Sequence, residues 1–454
     1  MARTEPARGM RDFLPEDVRR REHVVGIVRG IYERYGFEPL ETPAVENLET
    51  LTGKYGEEGA QLIFKILKRG EHEATGQADL ALRYDLTVPL ARVVAHYQAR
   101  LPRYFRRYQI QPVWRADRPA RGRFREFYQC DVDALGSTSP TVEAELCAAV
   151  CDVLRALGFD DFVLRLNHRG LLTAILDAAG VPHELHGSAL VALDKLDKIG
   201  LPGVSGELDA RGVPEAARQA LLAFEWDALD RERARPADAY TADALARVRA
   251  HLGGQRGVDA CDNLQRIVEL TGGTAARAHL RLDPSLARGL SYYTGAIMEI
   301  AVADLPGSLG GGGRYDNLVG MFLGQTVPAC GFSLGLERIL VVMQERGMFP
   351  PGASRAPADV MVAVFDEASV PDALRLAGEL RQHGLRTLLF PDAGKVGRQL
   401  KYADACGIPF VAILGPDEIA ASTVTLKHLA AQTQDTCQQT AAAAVILEAL
   451  AQRG

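Results

Sequence analysis

No apolar run in this sequence approaches the roughly 18–20 residues that a membrane span requires. The candidate nearest the C-terminus, Ala441 to Leu447, is far too short, so no membrane association is expected. The opening residues, MARTEPARGMRDFLPED, are charged and broken by proline, which does not read as a signal peptide. Cysteine is scarce: there are seven, an odd number with no CxxC pair. That argues against a disulfide framework. Cys147 and Cys151 lie four apart in an apolar helical stretch and are expected to be buried small residues. His183 and His186 form an HxxH around Glu184, but lack the helix and third ligand of a zinc site. They are expected to be surface histidines, and no metal site is expected. The sequence has no GxxxxGK[ST] phosphate loop, no convincing dinucleotide fingerprint and no repeat of solenoid period. These absences leave a reduced, cytoplasmic, soluble protein.

What is present is ordinary globular composition, 47% hydrophobic and 24% charged over 454 residues, enough for two to four domains. The formal net charge of −6 argues on its face against a nucleic-acid partner, but net charge is a sum and binding is local. Between Arg103 and Arg125 stand eight arginines and one acid, Asp117: a local charge of +7 on a remainder of −13. None of the eight is lysine, and arginine suits bidentate phosphate contacts. Tyr104, Phe105, Tyr108, Trp114, Phe124, Phe127 and Tyr128 interleave with them, offering faces on which bases stack.

A proline in the first turn and acids at the positive end predict a helix from Leu14-Pro15-Glu16-Asp17 to Gly36. Phe105 to Trp114 and Phe124 to Val132 read as strands of a long hairpin with a basic tip. Residues from about 170 to 270 are rich in Ala and Leu and read as a helical insertion, and strand character returns from Ser291 to Ala303. Short strands separated by a helical insert suggest an antiparallel sheet with an expanded connection. The segment GMFPPGASRAP, Gly347 to Pro357, is the best linker. After it, strands at Asp359–Phe365, Leu385–Phe390 and Ile408–Leu414 alternate with helices at Ala373–His383, Val396–Cys406 and Ala441–Ala451. That pattern predicts a small α/β domain with a mostly parallel sheet.

Four further segments carry chemistry-bearing residues. LGGGGRYD (309–316) means a backbone that needs freedom or close approach. ACGFSLGLERIL (329–340) is a strand running into a helix with Arg338 near its start, placed to face an anion or to pair with Glu337. In ARGLSYYTG (287–295), adjacent strand residues face opposite sides, so one tyrosine is expected to face a pocket and the other the core. In LRYDLTVP (82–89), Asp85 and Thr87 share a face if the segment is extended.

These segments together resemble the class II aminoacyl-tRNA synthetases, and within them the histidyl-tRNA synthetase family. WRADRPARGRFREFYQCDVD resembles the second class motif and GFSLGLERIL the third. The helix with the strand ending at Thr42-Pro43 resembles the first motif, which forms the dimer interface. ARGLSYYTG and GGGGRYDNL resemble signatures peculiar to the histidine enzymes, and LRYDLTVPLAR and ALDKLDKIG resemble their eukaryote-like branch. The resemblance covers nearly the whole chain. It implies an α+β catalytic domain with a largely antiparallel sheet over 1–346, with its helical insertion at about 170–270. A linker over 347–358 and an α/β anticodon-binding domain over 359–454 would follow.

The implied reaction activates L-histidine with ATP, accompanied by Mg2+, and transfers it to the 3′ end of tRNA(His). By resemblance, Arg115 grips the α-phosphate and the substrate carboxylate, and Arg288 is a second α-phosphate arginine; both are catalytic. Arg338 serves the γ-phosphate side, Phe127 stacks on adenine, and Glu126 is a candidate magnesium ligand. Asp85, Leu86, Thr87 and Gln129 stand on the amino-group side of the histidine site. Asp133, Tyr292 and Tyr293 stand on the imidazole side, with Tyr315 lining the pocket. Arg118, Arg121 and Arg123 at the hairpin tip face the acceptor end of the tRNA. Lys395, Arg398 and Lys401, spaced i, i+3, i+6, present a basic helix face to its anticodon, although residues 358–454 carry eight bases and eleven acids. Ser291 stands where the family commonly has Asp, and Phe124 where it commonly has Tyr, so changed packing rather than lost activity is expected. The partners implied are tRNA(His), L-histidine, ATP and a second copy of the chain. The competing expectations are a paralogue acting as a regulatory subunit, as in ATP phosphoribosyltransferase, and a prolyl or threonyl enzyme.

Overall fold

The computed structural model describes residues 4–52, 59, 61–70, 75–224, 237–252, 254–287, 292–350 and 356–452. The chain forms two compact units, Met1–Phe349 and Pro350–Gly454.

The first unit contains strands β1 (Glu38–Pro39), β2 (Val45–Asn47), β3 (Lys65–Leu67), β4 (Ala78–Leu82), β5 (Phe105–Trp114), β6 (Glu126–Leu135), β7 (Val163–His168), β8 (Leu280–Leu282), β9 (Ala296–Ala301), β10 (Ser308–Arg314) and β11 (Ala329–Gly335). Eight of them form one sheet in the order β1-β5-β6-β11-β10-β9-β7-β8. Every pairing is antiparallel except the outer ones, β1 with β5 and β7 with β8. A second, three-stranded sheet runs β2-β4-β3.

One face of the large sheet is apolar. The helix Pro15–Arg34 starts on proline with Glu16 and Asp17 in its first turn, and buries Val24, Val28, Ile31 and Tyr32 at helical spacing. The helix Thr141–Ala156 buries Leu146, Cys147, Val150 and Leu154. Both join one core with Cys130, Val132, Met298, Ile300, Phe332 and Leu334 from the strands. Cys147 Sγ lies 3.4 Å from Met298 Sδ, so the Cys147/Cys151 pair is core filling, as expected. Each such aliphatic side chain contributes about 1.5–3 kcal/mol on burial.

The glycine run is explained by the same sheet. A Cβ on Gly312 would sit 2.1 Å from Gly331 O and 2.7 Å from Phe332 Cα, and one on Gly331 would sit 1.9 Å from Asp133 Oδ1. These glycines, Gly312 on the apolar face and Gly331 on the other, let strands β10, β11 and β6 approach, and no side chain fits at either.

Between β7 and β8 run the helices Arg169–Ala178, His186–Leu193, Leu196–Ala210, Glu215–Leu222, Ala237–His251 and Gln255–Thr271, in keeping with the helical reading of this stretch. Leu196–Ala210 is broken at Gly200, whose φ of +64° precedes Leu201-Pro202. His186 corrects the surface reading of the HxxH: it is 8% exposed, with Nε2 3.0 Å from Val181 O. Only His183 is exposed. The strand expected from Ser291 begins only at Ala296.

The second unit contains β12 (Val360–Val364), β13 (Thr387–Leu389), β14 (Phe410–Leu414), β15 (Thr423–His428) and β16 (Thr433–Gln438), in the order β13-β12-β14-β15-β16. The first three are parallel. The hairpin β15–β16 adds antiparallel strands and corrects the mostly parallel expectation. Its second strand, TQDTCQ, is largely exposed and so carries no apolar alternation to announce it.

Candidate active site

The opposite face of the large sheet is polar. Strand alternation puts Arg107 and Gln109 of β5, Phe127, Gln129, Asp131 and Asp133 of β6, and Gly331 and Ser333 of β11 on this one face. Register makes them a grid: Arg107 opposes Asp133 and Gln109 opposes Asp131 across β5–β6. Gly331 opposes Asp133 and Ser333 opposes Asp131 across β6–β11. Arg107, Gln109, Gln129, Asp131 and Asp133 are all buried.

Arg107 Nη2 lies 2.9 Å from Asp133 Oδ2 and 3.8 Å from Asp131 Oδ2. The Tyr315 hydroxyl donates to Asp133 Oδ1. Gln129 Nε2 donates to Ser333 Oγ at 2.6 Å, and the Ser333 hydroxyl in turn bonds Asp131. Gln129 Oε1 is buried with no hydrogen-bond partner among the described residues. Burial pushes the Asp131 carboxyl up to about 7, against the pull of Arg107 and with Asp133 adding to the rise. Asp133 is pushed the same way by burial, while Arg107 and the Tyr315 hydroxyl pull it back.

The rim comes from other elements. Asp85 and Thr87 do not sit on an extended segment, as the sequence suggested. Asp85 Oδ1 accepts from Val88 N at 3.0 Å and caps the helix Thr87–Tyr97, which turns both residues toward the grid. Thr87 hydrogen-bonds the Tyr292 hydroxyl. The Leu86 carbonyl accepts from Arg107 Nη2 at 3.3 Å. Because β9 starts only at Ala296, Tyr292 and Tyr293 precede the strand; both pack on one apolar cluster, and Tyr293 also packs on the main core. Their rings meet edge-on at 5.2 Å, and Tyr292 meets Tyr315 at 5.9 Å. Burial, with Asp85 and Asp131 nearby, raises both hydroxyls.

Arg115 leaves the end of β5 with Nε donating to Tyr84 O at 3.0 Å. Its guanidinium is 4.3 Å from the Tyr84 ring centre and 5.2 Å from that of Phe127. Arg115 and Phe127 therefore meet at one end of the grid. Glu126 does not join them: register sets it opposite Trp114, on the other face of β6 from Phe127. Arg338 lies in the helix Leu336–Glu345 with Nη1 donating to Ser308 O at 2.5 Å. Glu337 does not pair with it: its Oε2 accepts from Tyr128 N at 2.8 Å. Burial raises this carboxyl to about 7. Arg288 and Ser291 lie outside the described residues.

Not all eight hairpin arginines face outward. Arg107 is wholly buried, and Arg106 pairs with Glu145 at 2.8 Å. Arg118, Arg121 and Arg123 are exposed, with Arg121 paired to Glu345 and donating to Asp304 O at 3.0 Å. Phe124 lies 4.2 Å beneath the Arg11 guanidinium, a contact that needs no hydroxyl. In the second unit, Lys395, Arg398 and Lys401 are exposed on the helix Val396–Ala405 and at its start. That helix is anchored by the buried Gln399, whose amide bonds both N and O of Val364.

Sequence reasoning missed Arg107, Gln109, Asp131 and Ser333. The signal was there for two of them: Gln129-x-Asp131-x-Asp133 alternates with Cys130, Val132 and Ala134, so Asp131 had to share their face, and Ser333 follows once β11 is paired.

A largely antiparallel sheet with a polar face, a long hairpin carrying Arg115, and a strand–helix unit carrying Arg338 define a class II aminoacyl-tRNA synthetase catalytic unit. Residues 9–339 match the family model described as "Histidyl-tRNA synthetase", and residues 359–449 match that of an "Anticodon binding domain". The histidine–tRNA ligase of Gloeobacter violaceus is 42% identical over 457 residues, covering 94% of this chain and 95% of the relative. The crystal structure of histidyl-tRNA synthetase from Nostoc sp. aligns with TM-score 0.79 at 30% identity, over 99% of this chain and all of that one. An ATP phosphoribosyltransferase regulatory subunit/histidyl-tRNA synthetase from Bacillus halodurans shares the fold, with TM-score 0.70 at 23% identity. The chain belongs to the histidyl-tRNA synthetase family and carries the histidine–tRNA ligase activity for which its relatives are named.

Proposed function

We propose that the polar face of the large sheet is the site of both half-reactions, with the catalytic domain taken as 1–346, the linker as 347–358 and the anticodon-binding domain as 359–454. In the first step a histidine carboxylate oxygen attacks the α-phosphorus of ATP; the bond to the bridging oxygen breaks and pyrophosphate leaves. Two anions meet and charge builds on phosphoryl oxygens, so catalysis rests on positioning and fixed positive charge. Arg115 and Arg288 supply that charge at the α-phosphate, and Arg338 at the γ-phosphate side. Phe127 stacks on adenine.

Histidine recognition makes a second demand: the ammonium needs acceptors and a buried imidazole needs both nitrogens paired. The observation that carries the reading is the buried, unpartnered Gln129 Oε1 above a floor of carboxylates. With Asp85, the Leu86 segment and Thr87 it forms the amino-group side; Asp133, Tyr292, Tyr293 and Tyr315 form the imidazole side. A site that pairs such groups rejects apolar amino acids by about 10⁴–10⁵, because they leave its polar groups unpaired.

Mg2+ enters with the nucleotide. Held chiefly by phosphates, it screens their charge when bound. In the second step the 3′-terminal ribose hydroxyl attacks the adenylate carbonyl and AMP leaves; no protein base is assigned to the hydroxyl proton. Arg118, Arg121 and Arg123 meet the acceptor end of tRNA(His), and Lys395, Arg398 and Lys401 its anticodon. The chain acts as a cytoplasmic homodimer through the helix Pro15–Arg34 and the segment ending at Thr42-Pro43. No helix among the described residues is long and apolar enough to cross a membrane.

ATP–pyrophosphate exchange with each of the twenty amino acids tests the reading. Exchange with histidine alone is expected. Exchange with another amino acid would overturn the recognition roles, and no exchange would favour a regulatory paralogue.

A further inference from the structure

Arg107 and Asp131 are the charged residues of this face that the reaction does not use. Arg107 is wholly buried in mid-sheet, and a guanidinium so placed costs several kcal/mol unless it is paired. Besides the two carboxylates, Nη1 donates to Gln109 Oε1 at 3.1 Å and Nη2 to Leu86 O at 3.3 Å. The charged and titratable groups acting on the Asp131/Asp133 pair are Arg107, the buried Arg83, Asp85, Tyr292, Tyr293 and Tyr315. Tyr32 and Cys330, on the apolar side of the sheet, sense the same charges. Asp131 and Asp133 thus share the Arg107 guanidinium in a desolvated place, where like charges cannot both stay ionised. The distances show which it serves: 2.9 Å to Asp133 and 3.8 Å to Asp131. Asp133 also holds the Tyr315 hydroxyl, whereas Asp131 has Ser333.

We propose that Arg107 is a positioning residue that sets histidine specificity from behind the pocket: it keeps Asp133 ionised, as a fixed hydrogen-bond acceptor for the imidazole ring, and leaves Asp131 to carry the proton of the pair. This rests on the reading of Asp133 as the imidazole-side residue. Without the guanidinium, Asp133 takes up a proton at neutral pH and stops accepting, so histidine affinity falls while ATP affinity does not.

The test is ATP–pyrophosphate exchange from about pH 6 to about pH 9, with KM for histidine and for ATP measured separately and each variant compared with wild type, because free histidine titrates in this range. Arg107→Met is expected to raise the histidine KM about 30-fold at the acidic end and about threefold at the alkaline end, with the ATP KM within about twofold. Arg107→Lys keeps a cation without the planar fork and is expected to fall between wild type and Arg107→Met. Asp131→Asn removes the competing carboxylate, shifts the acidic limb of the histidine profile to lower pH and restores about tenfold when combined with Arg107→Met. A rise in histidine KM that does not vary with pH, or an equal rise in both KM values, would overturn the proposal. If Arg107→Met does not fold by circular dichroism, Asp131→Asn decides, and an unshifted limb overturns it. Asp133→Asn separates the two levels. An unchanged histidine KM there overturns the imidazole-side reading itself; a raised one beside a normal Arg107→Met overturns only the role of Arg107.

Discussion

In the five-stranded sheet, Val360, Val362 and Val364 face one apolar cluster while Met361 and Ala363 face another. In the eight-stranded sheet, Cys130 and Val132 face an apolar core, but Gln129, Asp131 and Asp133 between and beside them face charge. Every buried Asp, Glu or Arg among the described residues belongs to the first unit. A sheet covered by apolar groups on both faces leaves chemistry only to its periphery, here the exposed Lys395, Arg398 and Lys401. A sheet with one polar face holds its reacting groups on backbone fixed from the other side by the core. Substitutions on that polar face are therefore expected to cost function with little stability, and substitutions in the second unit's core the reverse.

The largest effect expected on this contrast is at Arg115. Arg115→Ala should lower ATP–pyrophosphate exchange by about 10³-fold or more and leave the thermal unfolding midpoint within about 2 °C, since the side chain has a single backbone hydrogen bond to lose. An equal loss of midpoint and activity would break the contrast. Next is Leu376, wholly buried in the second unit. Leu376→Ala should destabilise that unit by about 2–5 kcal/mol in urea unfolding, with exchange activity retained and tRNA charging lost.

The buried charges give the third. Glu337 is raised from its ordinary value of 4.5 to about 7 by burial. Its folded state favours the neutral form, so stability from this group is present at low pH and is lost as pH rises from about 4.5 to about 7. Glu337→Gln lacks that slope. Its stability relative to wild type should improve by about 1–3 kcal/mol between pH 5 and about pH 8, read by denaturant unfolding; a constant difference would contradict the cause. The smallest is peripheral: replacing Lys395, Arg398 and Lys401 together by Ala should raise the KM for tRNA about tenfold and flatten its salt dependence, with exchange unaltered.

Much of this was legible before folding, and the misses share a cause. The Pro15–Arg34 helix, the β5–β6 hairpin and the Val360–Val364 strand announce themselves because their periodicity is local. Gln129 and Asp133 were found by resemblance, yet Asp131 between them was passed over because no motif named it. Arg107 counts toward the local charge of the 103–125 hairpin, yet it is buried in mid-strand against Asp133, a residue of the other strand, which no local pattern shows. Asp85 read as part of an extended face because its capping bond to Val88 is made only once the helix forms. The β15–β16 hairpin carries no signal in TQDTCQ, an exposed strand whose pairing is set by its neighbour.

The claim at the centre is that the floor of the polar face reads histidine. It is tested most directly by the KM for histidine of Asp133→Asn in ATP–pyrophosphate exchange at saturating ATP. A rise of about 100-fold is expected, with the KM for ATP within about twofold and the fold intact. An unchanged histidine KM, or the same rise for both substrates, would contradict it.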